Sequence, residues 1–453
     1  MITYFKKNRL KLAALIVALD VVLGQVIRLG SNLILTRLLA PDMFGVMMIA
    51  FIFLAGISML SDLGLKDKFI QSKNSYNEGF INTCWSMQVV RGGIISLITI
   101  VLAIILYYLN VMGFVKEDTA YSAPELPVIL ALISLTSLLN GFNSIAMYDH
   151  SRNLRLIVLA KIHLISQLVS TGMMLIVALY YREIWVLLIA PLLDAGIKLF
   201  LSYYYSGNMK AKFEFEKKSL KEIVSFSKWI FIGSSLGYLA LNADRILLGI
   251  FLTAEELGVF SIAFMLAMAG KELFSKIVKS VAYPKLSQIA RDKPSELKCV
   301  MYSLRMKIDI LTYSTAGFLA GFGSIIILVL YDERYTDAGW MLEIMSLALV
   351  FVGLNVSQQA LLAMSKAFSF ALIHVLGTIY VIVGIPLAFH FYGIQGVILF
   401  IATKSIATMP ILFYLQHKYG LLNLKREIIA FPVLIAFYYI GLYGKNLISD
   451  IWL

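Results

Sequence analysis

Residues 39–51 read LAPDMFGVMMIAF, and 213 positions further on residues 252–264 read LTAEELGVFSIAF. Leu39, Gly45, Val46, Ile49, Ala50 and Phe51 return as Leu252, Gly258, Val259, Ile262, Ala263 and Phe264. An acid, Asp42 or Glu255, stands three residues before the glycine in both copies. Six apolar stretches of spanning length lie between the copies. Six is even, so both halves thread the bilayer in the same direction, as parallel repeats related by an axis along the membrane normal do. In transporters built this way the substrate path runs at the interface between the halves.

The 453-residue chain around this repeat is 60% hydrophobic and 15% charged, with a mean hydropathy of +0.83, which excludes a soluble globule. Apolar stretches of about 20 residues, enough to cross hydrocarbon as a helix, recur throughout. They predict helices at 12–39, 46–65, 83–109, 124–148, 156–180, 184–205, 223–252, 258–282, 308–331, 339–364, 368–391 and 394–416, and a shorter apolar run follows at 428–441. The expected fold is an all-α polytopic membrane protein of 12–14 transmembrane helices: two six-helix bundles related by the parallel repeat, plus a C-terminal helix. The bundles take residues 1–206 and 223–416, the mixed-charge segment 207–222 is a cytoplasmic linker, and 417–453 is a basic tail with the extra helix. Whether 428–441 crosses the membrane or lies along it is open at this point.

The net charge of +12 is unevenly spread. Alternate loops hold about 22 Lys and Arg, among them Lys6, Lys7, Arg9, Lys11, Lys66, Lys68, Lys73, Arg152 and Arg155, against about 4 on the other side, so the basic side and the N-terminus are cytoplasmic. This charge is a topology signal and an attraction to anionic lipid, not a nucleic-acid footprint. Cys84 and Cys299 lie at cytoplasmic helix ends with no metal-ligand spacing around them, so neither a disulfide nor a metal is expected, and no cofactor is implied.

Charged side chains inside spans are costly and need a partner or water. Arg28 lies on a polar stripe with Gln25 and Asn32, and Asp20 is two turns earlier on nearly the same side. Asp194 and Lys198 are spaced i,i+4 after Pro191, the favourable order for a pair. Asn242, Asp244 and Arg245 share one helix, Lys404 is on another, and Arg91 and Arg305 hold nearly equivalent places in the two halves, where snorkelling is the plainer role. His163 and His374 have no acidic neighbour in sequence and read as structural. A cavity richer in cations than anions, opening between two bundles, suits an anionic substrate or an anion-headed amphiphile.

Residues 28–73, RLGSNLILTRLLAPDMFGVMMIAFIFLAGISMLSDLGLKDKFIQSK, and 242–264, NADRILLGIFLTAEELGVFSIAF, followed by YPKLS at 283–287, resemble bacterial Wzx-type polysaccharide flippases. Those proteins form the polysaccharide transporter branch of the multidrug/oligosaccharidyl-lipid/polysaccharide exporter superfamily. The resemblance implies translocation of an undecaprenyl-pyrophosphate-linked oligosaccharide, an O-antigen or exopolysaccharide repeat unit, across the bacterial inner membrane by ion-coupled alternating access. A polysaccharide polymerase and chain-length machinery would be its partners besides membrane lipid. By that analogy Arg28, Arg245 and Lys404, backed by Arg91 and Arg305, contact the pyrophosphate, and Asp194 or Asp244 binds the coupling proton or sodium. A cation-coupled multidrug exporter shares the architecture but calls for an acid-dominated pocket. A peptidoglycan-precursor flippase has the same architecture with fourteen helices. A polymerase or ligase needs a large outer loop, and the outer loops here are short. No catalytic residue is expected.

Overall fold

The computed structural model describes residues 2–60, 63–153, 155–207, 209–278, 282–364 and 366–452, all helix, turn and loop, with no strand among them. The chain is a polytopic all-α membrane protein. Its helices are α1 (Ile2–Leu38), α2 (Pro41–Leu60), α3 (Leu65–Gln71), α4 (Glu78–Val111), α5 (Leu126–Gly141), α6 (Ala146–Arg152), α7 (Leu156–Tyr180), α8 (Val186–Tyr204) and α9 (Lys217–Phe251). There follow α10 (Ala254–Ile277), α11 (Tyr283–Asp292), α12 (Leu297–Leu330), α13 (Ala338–Met345), α14 (Leu354–Ala363), α15 (Ala367–Thr403), α16 (Met409–Lys418), α17 (Leu424–Ile428) and α18 (Phe431–Trp452). Among the described residues ten helices, or eleven with one bent pair, are long and apolar enough to cross a bilayer. The 47-residue stretch Leu372–Lys418 counts once among them, although the chain leaves helical geometry at Gly393 (φ 60°, ψ −152°), a backbone that glycine alone adopts freely. Position 208 of the expected linker, positions 279–281 at the end of the expected helix 258–282, and the side chains of Lys6, Lys7, Arg9 and Lys11 lie outside the described residues.

The repeated sequence does the same local job twice. In both copies a long helix ends, the chain turns, and the next helix begins: α1 into α2 at Pro41, and α9 into α10 at Ala254. Asp42 and Glu255 sit in first turns, where a carboxylate complements the helix dipole. Leu39, Val46, Ile49 and Ala50 are buried, as are Leu252, Val259, Ile262 and Ala263. The recurring letters are thus core positions except the last, since Phe51 is exposed and Phe264 half-buried.

The chain divides into two compact units, up to Tyr238 and from Leu239 onward. In the first, α1 packs on α7, α4 on α5, and α8 on α5 and α7. The polar segment ahead of α9 is tied to α4: Lys212 N donates to Asn82 Oδ1, Glu214 N to Ser86 Oγ and Glu216 N to Thr83 Oγ1, each at 2.9 Å. In the second, α12 is the central helix, packed on α18, α13 and α14. Its contact with α18 runs through glycines: a Cβ on Gly321 would stand 2.5 Å from Tyr438 O, and one on Gly441 2.8 Å from Phe318 O. Small residues let helix backbones approach in this way. Amphipathic α11 buries Leu286 and Ile289 and leaves Lys285 and Arg291 exposed.

Several expected segments differ in form, 394–416 among them, which is the end of α15, a 3₁₀ turn at Lys404–Thr408 and α16. Residues 124–148 do not run straight, because α5 stops at Gly141 and α6 departs at 65° to it. Residues 339–364 are α13 and α14 joined through a 3₁₀ turn at Ser346–Leu349. The run at 428–441 begins at the end of α17 and from Phe431 forms the first half of α18, which is 22 residues long, about 33 Å, within a segment of spanning character, Leu424–Ile448. Hydropathy falters there at Lys445, whose Nζ lies 3.2 Å from Glu343 Oε1.

Candidate functional site

In the first unit the break between α5 and α6 forms the wall of a cavity of about 780 Å³, bordered also by α1, α2, α3, α4, α7 and α8. A broken helix bares carbonyls that need donors, and Gln88 supplies them: its Nε2 donates to Gly141 O at 3.0 Å and Asn143 O at 2.9 Å. Gly92 brings α4 against α5 here, since a Cβ would stand 2.7 Å from Ser137 O. The cavity's charged lining is Lys66, Arg91 and Lys198 with Asp20 and His163. Arg91 Nη2 donates to Ser58 O at 2.9 Å. Lys198 Nζ lies 2.6 Å from Asp194 Oδ2, so the i,i+4 pair read from sequence forms. His163 Nδ1 lies 2.8 Å from Asp20 Oδ1, and Gln167 Nε2 donates to Gly24 O at 2.9 Å one turn away. Sequence reading missed the histidine–aspartate pair because its members are 143 positions apart. Arg28 does not border this cavity; it is exposed on α1 and donates to Gln25, its neighbour on the polar stripe.

The second unit brings Asp244, Arg245 and Lys404 together. Asp244 is 2% exposed, and its Oδ2 accepts from Lys404 Nζ at 2.7 Å. Its Oδ1 takes the backbone N–H of Arg245 at 3.0 Å. The Arg245 guanidinium lies over the Phe264 ring, 4.2 Å from its centroid, a favourable cation–π position. Lys404 stands where α15 gives way to a 3₁₀ turn, Lys404–Thr408. Lys271 on α10 lies within electrostatic reach of both Asp244 and Lys404. That lysine was passed over in the sequence, although it stands inside an apolar stretch.

Arg305 belongs to neither lining nor pair above and is 2% exposed. Its Nε lies 3.2 Å from Asp309 Oδ2, and its Nη1 pairs with Glu427 Oε2 and donates to Ser357 Oγ at 3.3 Å. Tyr302 Oη donates to Glu427 Oε1 at 2.6 Å and accepts from Asn423 N at 2.9 Å. The snorkelling expected of Arg305 does not occur, because two buried carboxylates hold its head group inside. Asp309, one helical turn on from Arg305, was the available signal for half of this network. Glu427 had none.

The profile of the polysaccharide biosynthesis protein family matches residues 34–340. The chain belongs to that family. Within it, the chain is similar to teichuronic acid biosynthesis protein TuaB of Bacillus subtilis, 21% identical over 68% of this chain and 61% of the relative. It is also similar to amylovoran biosynthesis protein AmsL of Erwinia amylovora, 24% identical over 50% of this chain and 59% of the relative. Succinoglycan biosynthesis transport protein ExoT of Rhizobium meliloti is 22% identical over 70% of this chain and 61% of its own length. The chain thus spans less than two thirds of these relatives. Among solved structures the fold is shared with lipid II flippase MurJ in an inward closed conformation (TM-score 0.68, 15% identity, 95% of this chain and 92% of that one). It is shared too with an inward-facing multidrug resistance MATE family transporter of the MOP superfamily (TM-score 0.67, 14% identity, 90% and 98%). The resemblance to polysaccharide flippases read at 28–73 and 242–264 therefore holds, and the profile covers most of both stretches.

Proposed function

We propose that the chain flips an undecaprenyl-pyrophosphate-linked oligosaccharide, an O-antigen or exopolysaccharide repeat unit, across the bacterial inner membrane. Its N-terminus is cytoplasmic and its work is transport, not catalysis. The observation that carries this reading is the cavity of the first unit. Lys66, Arg91 and Lys198 border it against one carboxylate, Asp20, among amide and hydroxyl groups suited to sugar. The volume lies within the range of ligand sites, about 300–1,000 Å³.

Of the pyrophosphate contacts read from sequence, Arg91 borders this cavity, while Arg28, Arg245 and Lys404 lie outside its lining and are proposed as further contacts; Asp194 and Asp244 take the coupling ion. The pairs at rest suggest how the two could be linked. Pyrophosphate drawing Lys404 away would strip Asp244 of its cation, and a buried carboxylate without a cation takes up a proton. Asp194 and Lys198 would exchange partners in the same way. Arg305, already held by two carboxylates, is left out of the substrate set and serves as a brace.

The test is a strain lacking the protein, scored for surface polysaccharide and for lipid-linked repeat units. Lost surface glycan with accumulated complete units supports flipping. Normal glycan with altered sensitivity to cationic drugs would move the assignment to the multidrug branch.

A further inference from the structure

The Arg305 network carries one more negative charge than positive. Arg305, Asp309 and Glu427 keep 3%, 4% and 5% of their side chains exposed, and one guanidinium faces two carboxylates. A buried charge left without compensation costs several kcal/mol, so a fully ionised cluster is a poor resting state. Asp309 adds a second observation: its Oδ1 is buried and has no hydrogen-bond partner among the described residues. The carboxyl group presses on Gly353, where a Cβ could not be accommodated. It also borders a cavity of about 290 Å³ with Tyr302, Arg305 and Arg426, room for several waters.

The groups that face these carboxylates are few. From α12 come Arg305, Tyr302 and Tyr313; from α14 the hydroxyl of Ser357 accepts from Arg305. From α17 comes Arg426, exposed at the cavity rim with its guanidinium 5.8 Å from the Tyr302 ring centroid. A metal cation in this space would sit against the Arg305 guanidinium and be repelled by it. A proton neutralises the surplus without that contact.

We propose that Asp309 and Glu427 share one exchangeable proton, reached through the 290 Å³ cavity, and that this is a proton-coupling site distinct from Asp194 and Asp244. Releasing the proton strengthens the tie between α12 and α17. Binding it loosens α17, which leads directly into α18. The coupling half of the proposal rests on the flippase reading, and the proton site does not.

Infrared difference spectra of the full chain in nanodiscs, between pH 5 and pH 8, test the site. A protonated carboxylic acid band that is lost in Asp309→Asn and shifted in Glu427→Gln is expected. A spectrum unchanged in both variants overturns the site. A band that responds to sodium at fixed pH overturns it in favour of a metal cation. The coupling half is tested by surface glycan in a strain carrying Asp309→Asn at wild-type protein level. At least a tenfold loss of glycan is expected, and full restoration overturns coupling while the spectrum still decides the site. If the wild-type gene itself leaves lipid-linked glycan unchanged, the flippase reading fails and the proton site stands on its spectrum.

Discussion

Charge inside the first unit is partly exposed around a large cavity, whereas charge inside the second is in part almost wholly buried. Lys198 and Asp194 keep 24% and 27% of their side chains exposed, and His163 and Asp20 keep 44% and 22%. Arg305, Asp309 and Glu427 keep 3–5%. Partly solvated pairs can change partners at little cost, since water covers whichever group is left over. A buried network cannot do so as cheaply, because its groups have given up most of their hydration and rely on one another to replace it. The same residue types are therefore suited to handling a ligand in one place and to bracing helices or holding a proton in the other.

The sharpest way to break this contrast is Arg305→Ala. It leaves two buried carboxylates without their cation and should cost about 3–5 kcal/mol, read as loss of folded protein on heating in detergent. A cost like that of a surface pair would mean the network is open to water. Next comes packing. Gly321→Val places methyl groups into the α12–α18 contact and should cost about 1–3 kcal/mol or more, measured the same way; a neutral result would mean α18 is free to move aside.

Asp194→Ala and Lys198→Ala in the first unit should change stability by only about 0.2–1 kcal/mol each, and a double-mutant cycle would give their coupling. The smallest effect concerns pH. Lys68 Nζ, 2.9 Å from Glu222 Oε1, holds that carboxyl below the ordinary carboxylate range, with help from Ser72 and Asn74. A depressed folded value contributes stability that is present above the unfolded value, about 4.3, and is lost as pH falls through the folded one. Thermal stability of the wild type should thus fall more between pH 5 and pH 3 than that of Glu222→Gln, and parallel curves would deny the pair any role.

Much of the fold was legible because a bilayer imposes a simple rule on sequence: about 20 apolar residues per crossing. The helix at 156–180 was read to the residue, as α7. Where the reading failed, the cause was local. Asn140, Gly141, Asn143 and Ser144 are a turn signal that the long apolar stretch around them outweighed, and carbonyls freed there are satisfied by Gln88, 52 to 55 positions away. Partners were the other blind spot. An i,i+4 pair such as Asp194–Lys198 is visible in one dimension, whereas Asp244–Lys404, 160 positions apart, and Asp20–His163 exist only once helices pack. Depth and charge could nominate Arg305 for a ligand role, but only the packed helices disclose Asp309 and Glu427 around it.

The most direct test of the transport claim is a flipping assay with purified protein in proteoliposomes. Undecaprenyl-pyrophosphate-linked oligosaccharide is loaded in one leaflet, and its exposure to a membrane-impermeant sugar-oxidising reagent is followed. Protein-dependent appearance of label is expected, slowed at least tenfold in Arg91→Ala with Lys404→Ala. Exposure at the protein-free rate, in liposomes where the chain is shown to be folded, would contradict it.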